Sequence, residues 1–145
     1  MEYLKSLNPE QLEAATTTEG YIRVVAGAGS GKTKVLVDRL MSYLTAPIDP
    51  TNIDDFLIIT YTKAAASELR GKIASKLSEL IAEDPTNRHL QQQMQRLYLA
   101  KISTVHSFCS DILREYAYYL DLSGDFRVAD ENECVQLRER AMLQL

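Results

Sequence analysis

The sequence is poor in cysteine: Cys109 and Cys134 are the only two in 145 residues. Two thiols 25 positions apart cannot make a disulfide framework or a metal knuckle, and they point to the reducing cytoplasm. Long hydrophobic runs are missing as well. A stretch such as Phe56-Leu57-Ile58-Ile59 is far too short to span a bilayer, so no membrane partner is expected. The first residues, Met1-Glu2-Tyr3-Leu4-Lys5, hold no apolar signal-peptide core. An excess of basic charge is absent too: the net charge of −4 excludes a generally basic nucleic-acid coat. No internal repeat or low-complexity stretch occurs. What remains, 46% apolar and 25% charged residues, is an average globular composition. A chain this long buries about two-thirds of its unfolded surface, enough for a core and about one domain.

Charge is unevenly spread. Residues 1–59 carry 5 basic and 8 acidic groups, 60–119 carry 8 and 6, and 120–145 carry 3 and 6. Only the middle is positive; the difference is small and mostly reflects solvated helix faces, but it does not oppose an anionic partner there.

Local signals divide the chain into alternating strands and helices. Asn8-Pro9-Glu10-Gln11 reads as a helix start, with Asn8 as N-cap, Pro9 at the first helical position and Gln11 closing a capping box. Tyr21 to Val25 is a β-prone run that ends at glycines. Lys32 to Leu44 is helical, with Val37, Leu40, Met41 and Leu44 on one face. A loop with two prolines follows. Phe56 to Thr60 reads as a strand buried on both faces. Leu69, Ile73, Leu77, Leu80 and Ile81 form the stripe of a long helix, with Glu68 and Lys72 paired outside at i,i+4.

A further amphipathic helix covers residues 87–100, through Leu90, Met94, Leu97 and Tyr98. Lys101 to Thr104 is a short strand. Phe108, Ile112, Tyr116, Tyr119 and Leu120 mark the next helix, the aromatic residues serving as core. After a turn at Leu122–Asp125, Asp130 and Glu133 make a second capping box. The chain stops within the helix they start, as a fragment of a longer protein would. Strands alternating with helices predict an α/β fold with a parallel sheet. Ligands bind such sheets beyond the carboxyl ends of the strands, here Val25, Thr60 and Thr104.

The most specific signal follows Val25: Ala26-Gly27-Ala28-Gly29-Ser30-Gly31-Lys32-Thr33, a G-x-x-x-x-G-K-[ST] loop with alanine in the first glycine position. Successive N–H groups must point inward to wrap a phosphate, and glycines permit both the wrapping and the close approach. The helix that starts at Lys32 favours an anion at its N-terminus. Lys32 can reach the β- and γ-phosphates, and Thr33 can offer its hydroxyl to Mg²⁺. The loop argues for nucleotide binding more strongly than for any particular reaction.

Three further segments accompany it, and with them the chain resembles the N-terminal part of a UvrD/Rep-type superfamily-1 DNA helicase, most like the helicase–nuclease subunits of the AddA and RecB kind, from Leu7 onward. The resemblance implies a P-loop, RecA-like three-layer domain, incomplete here. Residues 1–125 would begin the first motor domain, and 126–145 would begin a helical inserted subdomain. Leu7 to Ala14 resembles the family's Q motif, which implies that Gln11 reads adenine; its amide can donate to N7 and accept from the N6 amine. The implied nucleotide-binding set is Gln11, Ala26, Gly27, Ala28, Gly29, Ser30, Gly31, Lys32, Thr33 and Lys34. Lys32 and Thr33 form its catalytic part, with ATP and Mg²⁺ bound, the metal at Thr33.

Thr60 to Leu69 resembles motif Ia and Ile102 to Cys109 motif Ib. They imply that Thr60, Thr62, Lys63, Ala64, Thr104 and His106 contact single-stranded DNA. Small residues after a strand let a phosphodiester approach a helix N-terminus, Thr62 can cap that helix or bond a phosphate, and Lys63 can pair with one. His106 could donate to a phosphate or stack on a base. The implied partners are single-stranded DNA, ATP and a second helicase–nuclease subunit.

A working motor also needs an acidic pair after a buried strand, and no such pair occurs. The family's later motifs, its arginine finger and its second motor domain are missing too. The expectation is an ATP-binding, DNA-contacting part of an ATP-dependent helicase that alone neither hydrolyses ATP nor unwinds DNA. Two other readings stay open: a small P-loop kinase, for which no arginine-rich lid is visible, and a non-catalytic nucleotide-binding module.

Overall fold

A computed structural model describes residues 2–17 and 19–143, without the side chains of Glu2 and Tyr3. Gln144 and Leu145, the end of the expected 126–145 segment, lie outside the described residues. The chain divides into two units, Met1–Val105 and His106–Leu145.

In the first unit, Asn8 caps α1 (Pro9–Thr16) as its sequence predicts: its side chain accepts the Gln11 N–H at 2.8 Å, and Gln11 Oε1 accepts the Asn8 N–H at 3.1 Å. α1 lies against α2 (Lys32–Leu44), which buries Val37, Leu40, Met41 and Leu44. Arg39 and Ser42 of α2 fasten the two helices by donating to the carbonyls of Ala14 and Ala15. α2 also buries Asp38, whose Oδ2 has no hydrogen-bond partner. Burial pushes that carboxyl up, against the nearby charges of Lys34 and Lys76.

The sheet holds two parallel strands, β1 (Leu57–Thr60) and β2 (Lys101–Thr104), in register from Leu57↔Lys101 to Thr60↔Thr104. α3 (Lys63–Glu83) and α4 (Arg88–Arg96) connect them. Thr62 caps α3 by accepting the Ala65 N–H at 3.1 Å. Leu69, Ile73, Leu77 and Leu80 of α3 are buried as the spacing predicts, with Ile81 at the margin of the core. Glu68 and Lys72 pair on the outside. In α4, Leu90 and Gln93 are buried, while Tyr98 beyond its end is exposed.

Arg70 ties α3 to the segment entering β2. Its guanidinium donates to the carbonyls of Leu97 at 2.5 Å, Ala100 at 3.1 Å and Ile102 at 3.3 Å. A planar fork suits several acceptors, whereas lysine offers a point charge. Arg70→Met should therefore cost about 2–3 kcal/mol, measured as a shifted urea midpoint, because hydrogen bonds to charged groups contribute more than neutral ones. Arg70→Lys should recover only part of that. An unchanged midpoint would show that the three contacts carry no net stability.

Two expectations of the strand pattern fail. Residues 21–27 have no regular secondary structure, and Tyr21, Val24 and Val25 are exposed. β-propensity alone does not make a strand; the backbone groups need a ladder partner, and among the described residues none pairs with this run. β1 is also not buried on both faces: Leu57 and Ile59 are 49% and 40% exposed. With α3 against one face of a two-stranded sheet, alternate side chains of β1 remain open. The sheet is parallel and α/β, as expected, but described helices cover one face of β1 rather than both.

The second unit contains α5 (Val105–Glu115, beginning at the last residue of the first unit), a 3₁₀ turn at Ala117–Leu120 and α6 (Glu131–Met142). The predicted Asp130/Glu133 capping box starts α6, and Arg127 pairs with Glu133. Phe108 is half-buried, but the two tyrosines are not core. Tyr116 and Tyr119 are 45% and 70% exposed, and Ala117 is the buried residue there. At Tyr116 the helix tightens to three residues per turn, which carries later side chains off the stripe that a 3.6-residue period would give.

Candidate functional site

The loop at residues 26–33 joins the irregular 21–25 segment to α2. Its backbone is shaped by glycine at two positions, Gly29 (φ +75°) and Gly31 (φ +83°), both in the left-handed region that L side chains disfavour. In front of Gly27 and Gly29 a Cβ would meet nothing within 4 Å, whereas at Gly31 it would stand 3.1 Å from Gln11 Nε2. Gly31 is also the N-cap of α2 and supplies no side-chain cap. The first N–H groups of the helix, at Lys32, Thr33 and Lys34, therefore keep no intrahelical acceptor, while Val35 N–H bonds Gly31 O at 3.0 Å.

Lys32 turns back over the loop, its ammonium donating to Ala26 O at 3.0 Å and Gly27 O at 2.5 Å. Ser30 Oγ donates to Gly27 O at 2.8 Å. An open front, two left-handed glycines, free helix-terminal amides and a cation at the mouth together fit a bound phosphate chain. Thr33 is exposed beside them and can present a hydroxyl oxygen to a divalent ion.

Gln11 meets the loop from α1. Its Nε2 donates to Ser30 O at 3.1 Å while its Oε1 remains in the capping box. The amide expected to read a base thus already spans α1 and the loop at residues 26–33. Beside it lies a cavity of about 450 Å³, lined by Asn8, Gln11, Ala14, Val24, Lys32 and Arg39 among others, within the range of small-ligand sites. Arg39 stiffens its wall through Tyr43 Oη at 3.0 Å. Lys34 points elsewhere: its ammonium donates to Ser6 Oγ at 2.7 Å, which leaves its main-chain amide, in the first turn of α2, as the group to offer a phosphate.

The expected DNA-contacting residues of the first unit gather at the carboxyl ends of the strands. Thr60 and Thr104 are register partners there. Thr60 Oγ1 donates to Thr62 O at 3.0 Å, Thr62 caps α3, and Lys63 and Ala64 are exposed in its first turn. Thr104 is buried. His106 is exposed in the first turn of α5.

A family model for the UvrD/REP helicase N-terminal domain matches residues 7–145. The chain belongs to that family. Among curated relatives of this UvrD/REP domain, an ATP-dependent helicase/nuclease subunit from Desulforamulus reducens is 47% identical over 134 residues, covering 92% of this chain and 11% of the relative. Proteins of the same name from Oceanobacillus iheyensis and Clostridioides difficile are 45% and 41% identical over 133 residues, each covering 92% of this chain and 11% and 10% of the relative. The UvrD/REP chain thus spans about a tenth of the length of these relatives. Among its described residues no helix is long and apolar enough to cross a membrane.

Sequence reasoning missed two features of this UvrD/REP site. One is the hydrogen bond from Gln11 to Ser30; no pattern at a separation of 19 residues announces a side chain that serves a cap and a loop together. The other is a smaller cavity of about 200 Å³ that Lys32 and Thr33 share with Thr60 and Glu68.

Proposed function

We propose that this chain is the ATP-binding, single-stranded-DNA-contacting part of an ATP-dependent DNA helicase acting in repair or recombination. The observation that carries the reading is the loop at residues 26–33, with its left-handed glycines, Lys32 at its mouth and helix-terminal amides behind it. The names of the relatives support the same reading. Amides of the loop and of Lys32, Thr33 and Lys34 hold the phosphates, the Lys32 ammonium exchanges its carbonyl partners for β- and γ-phosphate oxygens, and Gln11 leaves Ser30 O to read the adenine edge. The Thr33 hydroxyl would hold Mg²⁺, which would supply positive charge beside the phosphates.

Residues 1–125 begin a RecA-like, three-layer motor domain, and 126–145 begin a helical inserted subdomain. ATP-driven closure against a second motor domain alters the grip of Thr60, Thr62, Lys63, Ala64, Thr104 and His106 on the strand, and repeated cycles move it. Without an acidic pair to orient water, these 145 residues neither hydrolyse ATP nor unwind DNA alone. The full protein acts in the cytoplasm with a second helicase–nuclease subunit.

The test is made on the longer protein that carries this domain. ATPase turnover should rise with single-stranded DNA, whereas stimulation by a small hydroxyl-bearing acceptor would indicate a kinase. Lys63→Ala with His106→Ala should weaken single-stranded DNA binding by about 1–3 kcal/mol and flatten its salt dependence, since one phosphate charge and one stacking or hydrogen-bonding group are lost. Unchanged affinity and slope would refute the DNA track.

A further inference from the structure

The 200 Å³ cavity places parts of the two expected sites on one wall. Lys32, Thr33 and Leu36 of α2 line it, with Thr60 at the end of β1 and Ala65, Glu68 and Leu69 of α3. The residues suited to the γ-phosphate and its cation therefore face the same space as the strand end suited to DNA. Among the lining residues Glu68 is the one carboxylate.

Three observations single it out. First, Glu68 shares the cavity lining with Thr33 and is its anionic member. Its hydrogen bond with Lys72 holds the carboxyl below the ordinary glutamate range, so it is ionised at neutral pH. Second, its present partner holds it weakly. The Glu68–Lys72 pair is an i,i+4 contact of two exposed side chains, a class that contributes little and exchanges readily. Third, Glu68 lies less than two turns from Thr62, Lys63 and Ala64 on one continuous helix.

We propose that Glu68 is a positioning residue for the nucleotide's divalent cation, accepting hydrogen bonds from water that the ion carries beside Thr33, and that it thereby links the phosphate loop to the DNA-facing end of α3. The inference rests on the nucleotide reading above. Groups in the outer shell of a metal site are sensitive points: their loss weakens metal binding or activity by about 10–100-fold.

The test uses Mn²⁺ as the probe, followed by electron paramagnetic resonance on the 145-residue chain with ATP present, and ATP affinity measured separately in excess chelator. Glu68→Gln should weaken Mn²⁺ binding about tenfold while leaving metal-free ATP affinity within about twofold. Lys72→Gln removes the surface pair but keeps the carboxylate, and should retain wild-type Mn²⁺ affinity. The proposal is overturned if Glu68→Gln binds Mn²⁺ like wild type, or if Lys72→Gln weakens it equally, which would mark a helix-stability effect. If ATP affinity is also indifferent to Lys32→Ala, the nucleotide reading itself fails and takes this inference with it. If Lys32→Ala weakens ATP and Glu68→Gln changes nothing, only the inference fails.

Discussion

Replacing Lys32 with alanine should lower the chain's affinity for ATP about a hundredfold while leaving its thermal unfolding unchanged. Lys32 is exposed at the start of α2 and touches protein through two loop carbonyls, Ala26 O and Gly27 O. Its removal therefore opens no cavity, and exposed substitutions of that kind usually stay within about 0.5 kcal/mol. In the bound state the same ammonium would pair with phosphate oxygens. Charge-assisted hydrogen bonds contribute about 1.5–3 kcal/mol each. Part of that is offset because the two carbonyl contacts must first be given up, so the net loss settles near about 2.7 kcal/mol, a factor of roughly 100. Titration calorimetry with differential scanning calorimetry separates the two quantities. Unchanged affinity would remove Lys32 from the phosphate site, and a large fall in melting temperature would mean that the residue is structural.

The second large effect lies in the core. Leu77→Ala should destabilise the first unit by about 2–5 kcal/mol, read from chemical denaturation. Leu77 is completely buried in the cluster that also contains Met41, Leu44, Ile53 and Ile73. The substitution removes buried apolar atoms and leaves a void that neighbours on α2, α3 and α4 fill only in part. Against a total stability of about 5–15 kcal/mol for a domain of this size, that is a substantial share. Ile59→Ala, on the 40%-exposed face of β1, should cost under about 1 kcal/mol, because much of its side chain remains in water. Equal costs at the two positions would contradict the described core.

Much of this was legible in the sequence because it depends on neighbours within one turn. Asn8 with Gln11 and Asp130 with Glu133 form reciprocal caps as their spacing predicts, and Thr62 caps α3. The stripes of α2 and α3 follow from the 3.6-residue period. Thr60 and Thr104 meet because a parallel pair joined by helices puts both strand ends on one edge.

What was not legible depends on what lies across from a residue. Tyr21 to Val25 has strand chemistry but no ladder partner among the described residues. Leu57 and Ile59 are aliphatic but face an uncovered side of the sheet. Tyr116 and Tyr119 keep helical spacing, yet the backbone tightens beneath them. Asp38 sits on a charged helix where exposure is the default, and only the packing of α2 reveals it as buried with an unpartnered oxygen. In the candidate site, the loop and α1 were readable separately; their hydrogen bond, and the cavity that joins Thr33 to Glu68, belong to the folded chain alone.

Amide hydrogen exchange of the chain, with and without MgATP, tests the central claim most directly. The account predicts slowed exchange at Gly27 to Lys34, where loop and helix-terminal N–H groups acquire phosphate acceptors, with little change in the far half of α3. Saturating ATP that leaves those amides exchanging at their original rates would contradict it.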